Sequence, residues 1–240
     1  MRPDKTNPIR RVLLEIEQPG LSEMIRLYGN ALSTYCAKVR VVLRYKDIPF
    51  EDCAPPDGYG SCAYRAIIPM GTIPGFVDGS VVLSESEAIA EYLEEQYAEP
   101  PLLFGDAAQR AHIRSLSRIH DCWVEPQLRA LYAHVSPAAR DRAVVSARGQ
   151  TFNRRLRELS HYATPGPFIA GDRLSLADCA WATTLIQAEL LFPNLGLNFA
   201  IPQPLHAWRA AIDSHPAIAP GVGPCADSMR AWLDRAGVSE

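Results

Sequence analysis

Absent from the 240 residues are a CxxC pair, a Cys/His cluster at zinc-finger spacing, and any apolar run near the roughly 18 residues that would cross a bilayer. No resident metal and no membrane span are therefore expected. Blocks of one charge are missing too. The 24 Lys and Arg and 27 Asp and Glu are mixed along the chain for a net charge of −3, so nothing marks a nucleic-acid face or an acidic partner segment. The first twenty residues hold only Val12-Leu13-Leu14 before Glu15 interrupts, too short for a secretory apolar core. A cytoplasmic protein is expected. Its six cysteines (Cys36, Cys53, Cys62, Cys122, Cys179 and Cys225) then read as reduced, mostly packing residues, because disulfide frameworks belong to small secreted domains that lack a core.

What is present is ordinary globular material: 48% hydrophobic and 21% charged residues, enough chain for a sizeable core and for one large or two modest domains. The 20 prolines punctuate it. Residues 1–23 are polar and broken by Pro3, Pro8 and Pro19, and read as a flexible extension. From Met24 the pattern is β-α-β: a short strand to Gly29, a helix from the Leu32–Cys36 turn to about Lys46, and a strand at Phe50 to Cys53. An irregular loop over 54–71 comes next. The run from Ile73 to Leu83 is a hairpin turning at Asp78-Gly79. Ser84, with Glu87 three residues on, predicts a capping box for a helix whose apolar face is Ala88, Ile89, Tyr92, Leu93 and Tyr97.

Composition shifts at 99–106, read as a linker. Beyond it strand signals nearly vanish, and helical patterns cover about 107–135, 138–162, 175–192, 204–214 and 225–236, with a kink expected at Pro126. The domains are thus 24–98 and 107–240.

Several residues have the chemistry for a site. Ile73-Pro74, at the head of a hairpin strand, is a candidate cis bond that would leave backbone groups facing outward. Glu85-Ser86 falls in a first helical turn, where unpaired N–H groups and the dipole favour an anion; a serine donor beside a carboxylate acceptor suits an α-amino-acid head group. Simple capping is the plain alternative. Ser33 stands at the start of the first helix, where a hydroxyl and the positive dipole end can stabilise a thiolate, or merely cap. Lowering a thiol pKa by two units needs roughly 2.7 kcal/mol, about the size of one charge-assisted hydrogen bond plus a helix terminus. Cys36, one turn further in, reads as buried rather than nucleophilic. Tyr28 reads as core, and Tyr35, at the turn, as rimming a site.

Taken together, Ser33-Thr34-Tyr35-Cys36-Ala37-Lys38-Val39-Arg40, Thr72-Ile73-Pro74, Ser84-Glu85-Ser86-Glu87-Ala88-Ile89 and Ser175-Leu176-Ala177-Asp178 resemble the glutathione transferase family over about residues 24–235. The last run looks like that family's capping box, with a folding role. The resemblance implies an α/β thioredoxin-like N-terminal domain with a mixed four-stranded sheet, followed by an all-α helical bundle. It implies glutathione as co-substrate and no metal. Ser33 would match the thiolate-stabilising serine of the theta and zeta classes. Ile73, beside cis-Pro74, would pair with the cysteinyl backbone of glutathione, Glu85 and Ser86 would hold its γ-glutamyl group, and Tyr35 would border it. Ser117, His120 and Trp123, at helical spacing, are candidates to line a pocket for a small electrophile. For His120 a packing role, and for Trp123 core burial, are the competing readings. Two departures stand out: Ile68-Pro69-Met70-Gly71-Thr72 replaces a more polar segment, and the 53–63 loop offers no evident basic anchor for the glycine carboxylate, Arg65 being a candidate substitute or a solvated arginine. The resemblance further implies a homodimer and a transferase of detoxification type, with a glutathione-dependent isomerase, dehalogenase or ether-cleaving lyase as one alternative and a non-enzymatic binding or regulatory module as another.

Overall fold

The computed structural model describes residues 24–163 and 166–237. The expected extension at 1–23 lies outside them. The chain divides into two compact units between Ala98 and Glu99.

The first unit runs β1 (Ile25–Tyr28), α1 (Thr34–Tyr45), β2 (Phe50–Cys53), α2 (Cys62–Arg65), β3 (Gly75–Asp78), β4 (Val81–Ser84) and α3 (Ser86–Gln96). Its sheet has the order β2-β1-β3-β4, with β1 parallel to β2 and antiparallel to β3, and β3 antiparallel to β4. This is the mixed four-stranded thioredoxin-like arrangement. Helix α1 buries Cys36, Val39, Val42 and Leu43 completely. These positions recur at helical spacing, and each fully buried Val or Leu contributes about 1.5–3 kcal/mol. Two buried lysines tie α1 to α3. Lys38 Nζ is 2.8 Å from a Glu87 carboxylate oxygen, and Lys46 Nζ is 2.7 Å from Glu94 and also donates to the Tyr97 carbonyl at 2.7 Å.

Two expectations in this unit are corrected. The loop over 54–71 contains the short helix α2, capped by Ser61, whose Oγ accepts the Tyr64 N–H at 3.0 Å. Ser84 does not cap α3. It stays in β4, paired with Gly75, because Glu85 turns the chain at φ 71° and itself occupies the cap position without a side-chain cap bond. Glu87, expected to close a capping box, points to Lys38 instead.

The second unit comprises, among the described residues, α4 (Ala107–Ile119), α5 (Glu125–Leu131), α6 (Arg142–Tyr162), α7 (Trp181–Asn194), α8 (His206–Ser214) and α9 (Ala219–Arg235). The long helix expected over 107–135 is interrupted. Between α4 and α5, His120–Val124 form a π-helical turn in which the Glu125 N–H reaches the His120 carbonyl. The cause is Pro126, which has no N–H to donate and whose ring crowds the carbonyl four residues back; the wider turn relieves both. Likewise α6 begins at Arg142 after a 3₁₀ turn at Pro137–Ala139, and α9 begins at Ala219, with Pro224 inside it. No helix among the described residues is long and apolar enough to cross a membrane.

The core of this unit gathers around a buried carboxylate. Asp178 Oδ1 accepts the Ile169 N–H at 2.9 Å and the Trp208 Nε1–H at 2.8 Å, while Oδ2 accepts the Ser175 N–H at 2.8 Å and its hydroxyl at 2.7 Å. Ser175 and Asp178 form the anticipated capping box, here on a 3₁₀ turn (Leu176–Asp178) leading into α7. Trp208 packs edge-on against Trp181, ring centres 5.4 Å apart. Burial drives the Asp178 carboxyl above its ordinary range, against the pull of these donors.

Candidate active site

Strand register brings three separate sequence segments of the first unit to one end of its sheet. Tyr28, the last residue of β1, pairs with Gly75, the first of β3; Gly75 in turn pairs with Ser84, the last of β4. The loop leaving β1 toward Ser33, the Thr72-Ile73-Pro74 approach to β3 and the Glu85-Ser86 step into α3 therefore meet at the same end of the sheet. Segments far apart in sequence become neighbours through sheet pairing alone.

Ser33 is the N-cap of α1. Its backbone is extended, and its Oγ accepts the Cys36 N–H at 3.2 Å. Accepting with a lone pair leaves the hydroxyl hydrogen to donate, and within the protein the Cys36 sulfur takes it. The hydroxyl is buried at the positive end of a twelve-residue helix, where a negative charge is favoured. Cys36 is fully buried. Burial pushes its thiol up, outweighing the hydrogen bonds from Ser33 and Asn30 and the charge of Arg40 that favour the thiolate. It therefore stays a neutral thiol at neutral pH, a weak acceptor and no competing nucleophile. The packing below it is close: a Cβ on Gly29 would sit 2.5 Å from Cys36 Sγ. Tyr35, beside Ser33 in the first turn of α1, is half-buried.

The Ile73-Pro74 peptide is cis. Ile73 is half-buried and Pro74 buried. Tyr64 holds this segment from α2. Its hydroxyl donates to the Thr72 carbonyl at 2.9 Å, and a Cβ on Gly75 would clash with that hydroxyl. Tyr64 is fully buried, which pushes its phenol well above the ordinary range and keeps it a neutral donor. Arg65, a candidate anchor for a carboxylate, is used otherwise. Its Nε donates to the Gly60 carbonyl at 3.1 Å and its Nη1 to the Pro69 and Met70 carbonyls at 3.3 and 3.0 Å. It clamps the loop from an exposed position, so it is a solvated arginine with its guanidinium bonded to backbone carbonyls.

Glu85 and Ser86 differ sharply in exposure: Glu85 is exposed, while Ser86 is buried as the first residue of α3. The φ of Glu85 is positive, which is rare for a residue with a side chain and marks sites where structure is held for use. Because no side chain caps α3, its first N–H groups remain available to an anion.

The second unit does not place Ser117, His120 and Trp123 on one face. Ser117 and His120 are 1% exposed, whereas Trp123 is 48% exposed. The π-helical turn between His120 and Trp123 inserts an extra residue and rotates the chain beyond it, so three-residue spacing no longer means a shared face. Trp123 is thus not a core residue; the Arg155 guanidinium lies 4.2 Å from its ring centre. His120 is a satisfied packing histidine, with Nδ1 2.8 Å from Asp121 Oδ1, Nε2 2.7 Å from Thr184 Oγ1, and Trp181 edge-on at 4.9 Å. No group of three or more His, Cys, Asp or Glu that could hold a metal occurs among the described residues.

The sequence does not announce the roles of Asn30, Arg40, Asp52 and Tyr64, which support the site from behind. Each bonds to a backbone group or to a partner brought near by folding, and no local spacing announces that.

Comparison with known proteins fits this geometry. Residues 27–101 match the glutathione S-transferase N-terminal domain and residues 137–212 the corresponding C-terminal domain. The chain is similar to glutathione S-transferase Z1 of Arabidopsis thaliana, 40% identical over 37% of this chain, although that match spans less than half (42%) of the relative. It is 30% identical to glutathione S-transferase Z2 of the same plant over 64% of this chain and 72% of the relative. Among solved structures it is similar to the holo form of maleyl pyruvate isomerase, described as a bacterial glutathione S-transferase in zeta class, with a TM-score of 0.71 and 27% identity over 84% of this chain and 97% of that one. On the strength of both domain matches and of a relative covered over most of its length, the chain belongs to the glutathione S-transferase family.

Proposed function

We propose that this protein binds glutathione at that end of the first unit's sheet, holds its sulfur as a thiolate against the Ser33 hydroxyl, and directs that thiolate at a small hydrophobic electrophile. The observation that carries this reading is the pair of helix N-termini at one end of the sheet. One presents a capping serine whose hydroxyl hydrogen is shared with the Cys36 sulfur, a weak acceptor that a thiolate would outcompete, and the other has a cap residue that makes no side-chain cap bond. Glutathione is a tripeptide with a thiol and a γ-linked amino-acid end, and these two features answer those two groups. The backbone of Ile73 would pair with the cysteinyl unit, Glu85 would accept from the ammonium, Ser86 and the first N–H groups of α3 would donate to the carboxylate, and Tyr35 would border the sulfur. A hydrogen bond to a charged acceptor contributes about 1.5–3 kcal/mol and the helix terminus about 0.3–1 kcal/mol, together enough for roughly two units of thiol pKa. Catalysis would then rest on thiolate population and proximity. A cytoplasmic homodimer is part of this reading.

An isomerase reading, in which the thiolate adds to the substrate and departs again, is favoured by the likeness to the zeta-class maleyl pyruvate isomerase structure. Both readings need the same thiolate. Retention on immobilised glutathione tests the shared step, and turnover of an aryl halide against isomerisation of a cis-unsaturated diketo acid separates the two. Failure to bind glutathione, or a rate independent of Ser33, contradicts both.

A further inference from the structure

Behind Ser33 lies a chain of hydrogen bonds that neither the N-cap nor the sheet requires. Asp52, on β2, accepts from Arg40 through both carboxylate oxygens, Nε at 2.6 Å and Nη2 at 2.8 Å. The remaining arm of the same guanidinium, Nη1, donates to the Asn30 carbonyl at 3.0 Å. Asn30 Oδ1 in turn accepts the Ser33 N–H at 2.9 Å. Asn30 is thereby gripped twice, by its backbone oxygen from one side and by its side chain from the other, at the start of the turn that ends on Ser33. Arg40 belongs to α1, so the helix that Ser33 opens also holds the loop that delivers Ser33.

We propose that Asn30 and Arg40 are positioning residues for the Ser33 hydroxyl, with Asp52 fixing the guanidinium in its fork geometry. The inference rests on the glutathione reading above and adds to it the residues that set how well Ser33 serves the sulfur. A serine hydroxyl rotates freely, and a hydrogen bond weakens steeply with misalignment. An N-cap bond to Cys36 of 3.2 Å is a loose constraint by itself. The second constraint comes from Asn30, because fixing the Ser33 N–H fixes the direction in which its Cα–Cβ bond leaves the backbone. The planar two-point grip of Asp52 makes Arg40 hard to replace by lysine, which offers a point charge and no fork. Close packing completes the frame, since Gly29 meets Cys36 Sγ directly and the loop cannot shift inward.

The test is a spectroscopic titration of the thiol of bound glutathione, followed by its thiolate absorbance, in wild type, Asn30→Ala, Asn30→Asp and Arg40→Lys, alongside kcat/KM as a function of pH. Asn30 is exposed, so its replacement keeps the fold even if the buried Arg40 site does not tolerate lysine. Asn30→Ala is expected to raise the apparent thiol pKa by about half to one unit, which lowers kcat/KM about three- to tenfold at neutral pH. The rate should return to the wild-type level once the pH exceeds the raised pKa, and glutathione affinity should stay within about twofold. Asn30→Asp keeps an acceptor for the Ser33 N–H and should keep most of the wild-type rate. A merely structural role would lower the rate equally at every pH. That pattern, or a wild-type thiol pKa in Asn30→Ala, overturns this inference alone. A wild-type protein that leaves the glutathione thiol pKa at its solution value overturns the proposed function and this inference with it.

Discussion

Two turns in this molecule begin with a serine or acidic residue and end in opposite states. In the second unit, Ser175 and Asp178 close a capping box whose carboxylate accepts four donors and is fully buried. Every polar group is used, and the result is a fixed point around which Ile169, Trp208 and α7 pack. In the first unit, Glu85 and Ser86 open α3 with no side-chain cap, and Glu85 holds a positive φ. Here donors are left over and the backbone is held away from its preferred region. A saturated helix start stabilises, whereas an unsaturated one stays open to a ligand. Ser33 lies between the two, capping α1 with one lone pair while its hydrogen rests on the Cys36 sulfur, a weak acceptor.

The sharpest way to break this contrast is at the saturated end. Asp178→Ala should cost about 4 kcal/mol, since it strands the Trp208 indole N–H and the Ile169 N–H in the core. The check is the denaturant midpoint; a loss below about 1 kcal/mol would mean the buried network does not hold the unit together. Next in size is Ser33→Ala, for which turnover at neutral pH should fall about thirty- to hundredfold, while stability drops by only about 1 kcal/mol for the lost cap. Unchanged turnover would reduce Ser33 to a cap like any other. The smallest of the three effects sharpens the open end. Glu85→Gly should weaken glutathione binding about tenfold, as a calorimetric titration would show, and leave the unfolding midpoint unchanged or slightly raised, because glycine adopts positive φ without strain. If Glu85→Gly unfolds the protein and leaves glutathione affinity intact, Glu85 is structural and the contrast collapses.

The local devices were legible in sequence because their chemistry is a matter of short spacing. Ser33 ahead of an apolar helix, Ser175 three before Asp178, and Asp78-Gly79 between two strands all act within one turn of chain. The start of α3 misled for the same reason. Ser84 and Glu87 have capping-box spacing, yet Ser84 is claimed by its ladder partner Gly75 and Glu87 by Lys38, both distant in sequence. Trp123 failed through phase, since three-residue spacing assumes an unbroken α-helix and Pro126 converts the preceding turn to π geometry. The clamping roles of Arg65 and Tyr64 were not legible, because their partners are the backbone carbonyls of Gly60, Pro69, Met70 and Thr72, which carry no residue signature. The convergence of Ser33, Ile73-Pro74 and Glu85-Ser86 was implied by family resemblance, but its physical basis is the Tyr28–Gly75–Ser84 register.

The proposed function stands or falls on the Ser33 hydroxyl, whose hydrogen rests on the weakly accepting Cys36 sulfur at a helix terminus, stabilising the thiolate of bound glutathione. The most direct measurement is the pKa of that bound thiol in the wild-type protein and in Ser33→Ala. The expected wild-type value lies about two units below that of free glutathione, with most of the difference lost in the variant while glutathione still binds. Equal values in the two proteins would contradict it.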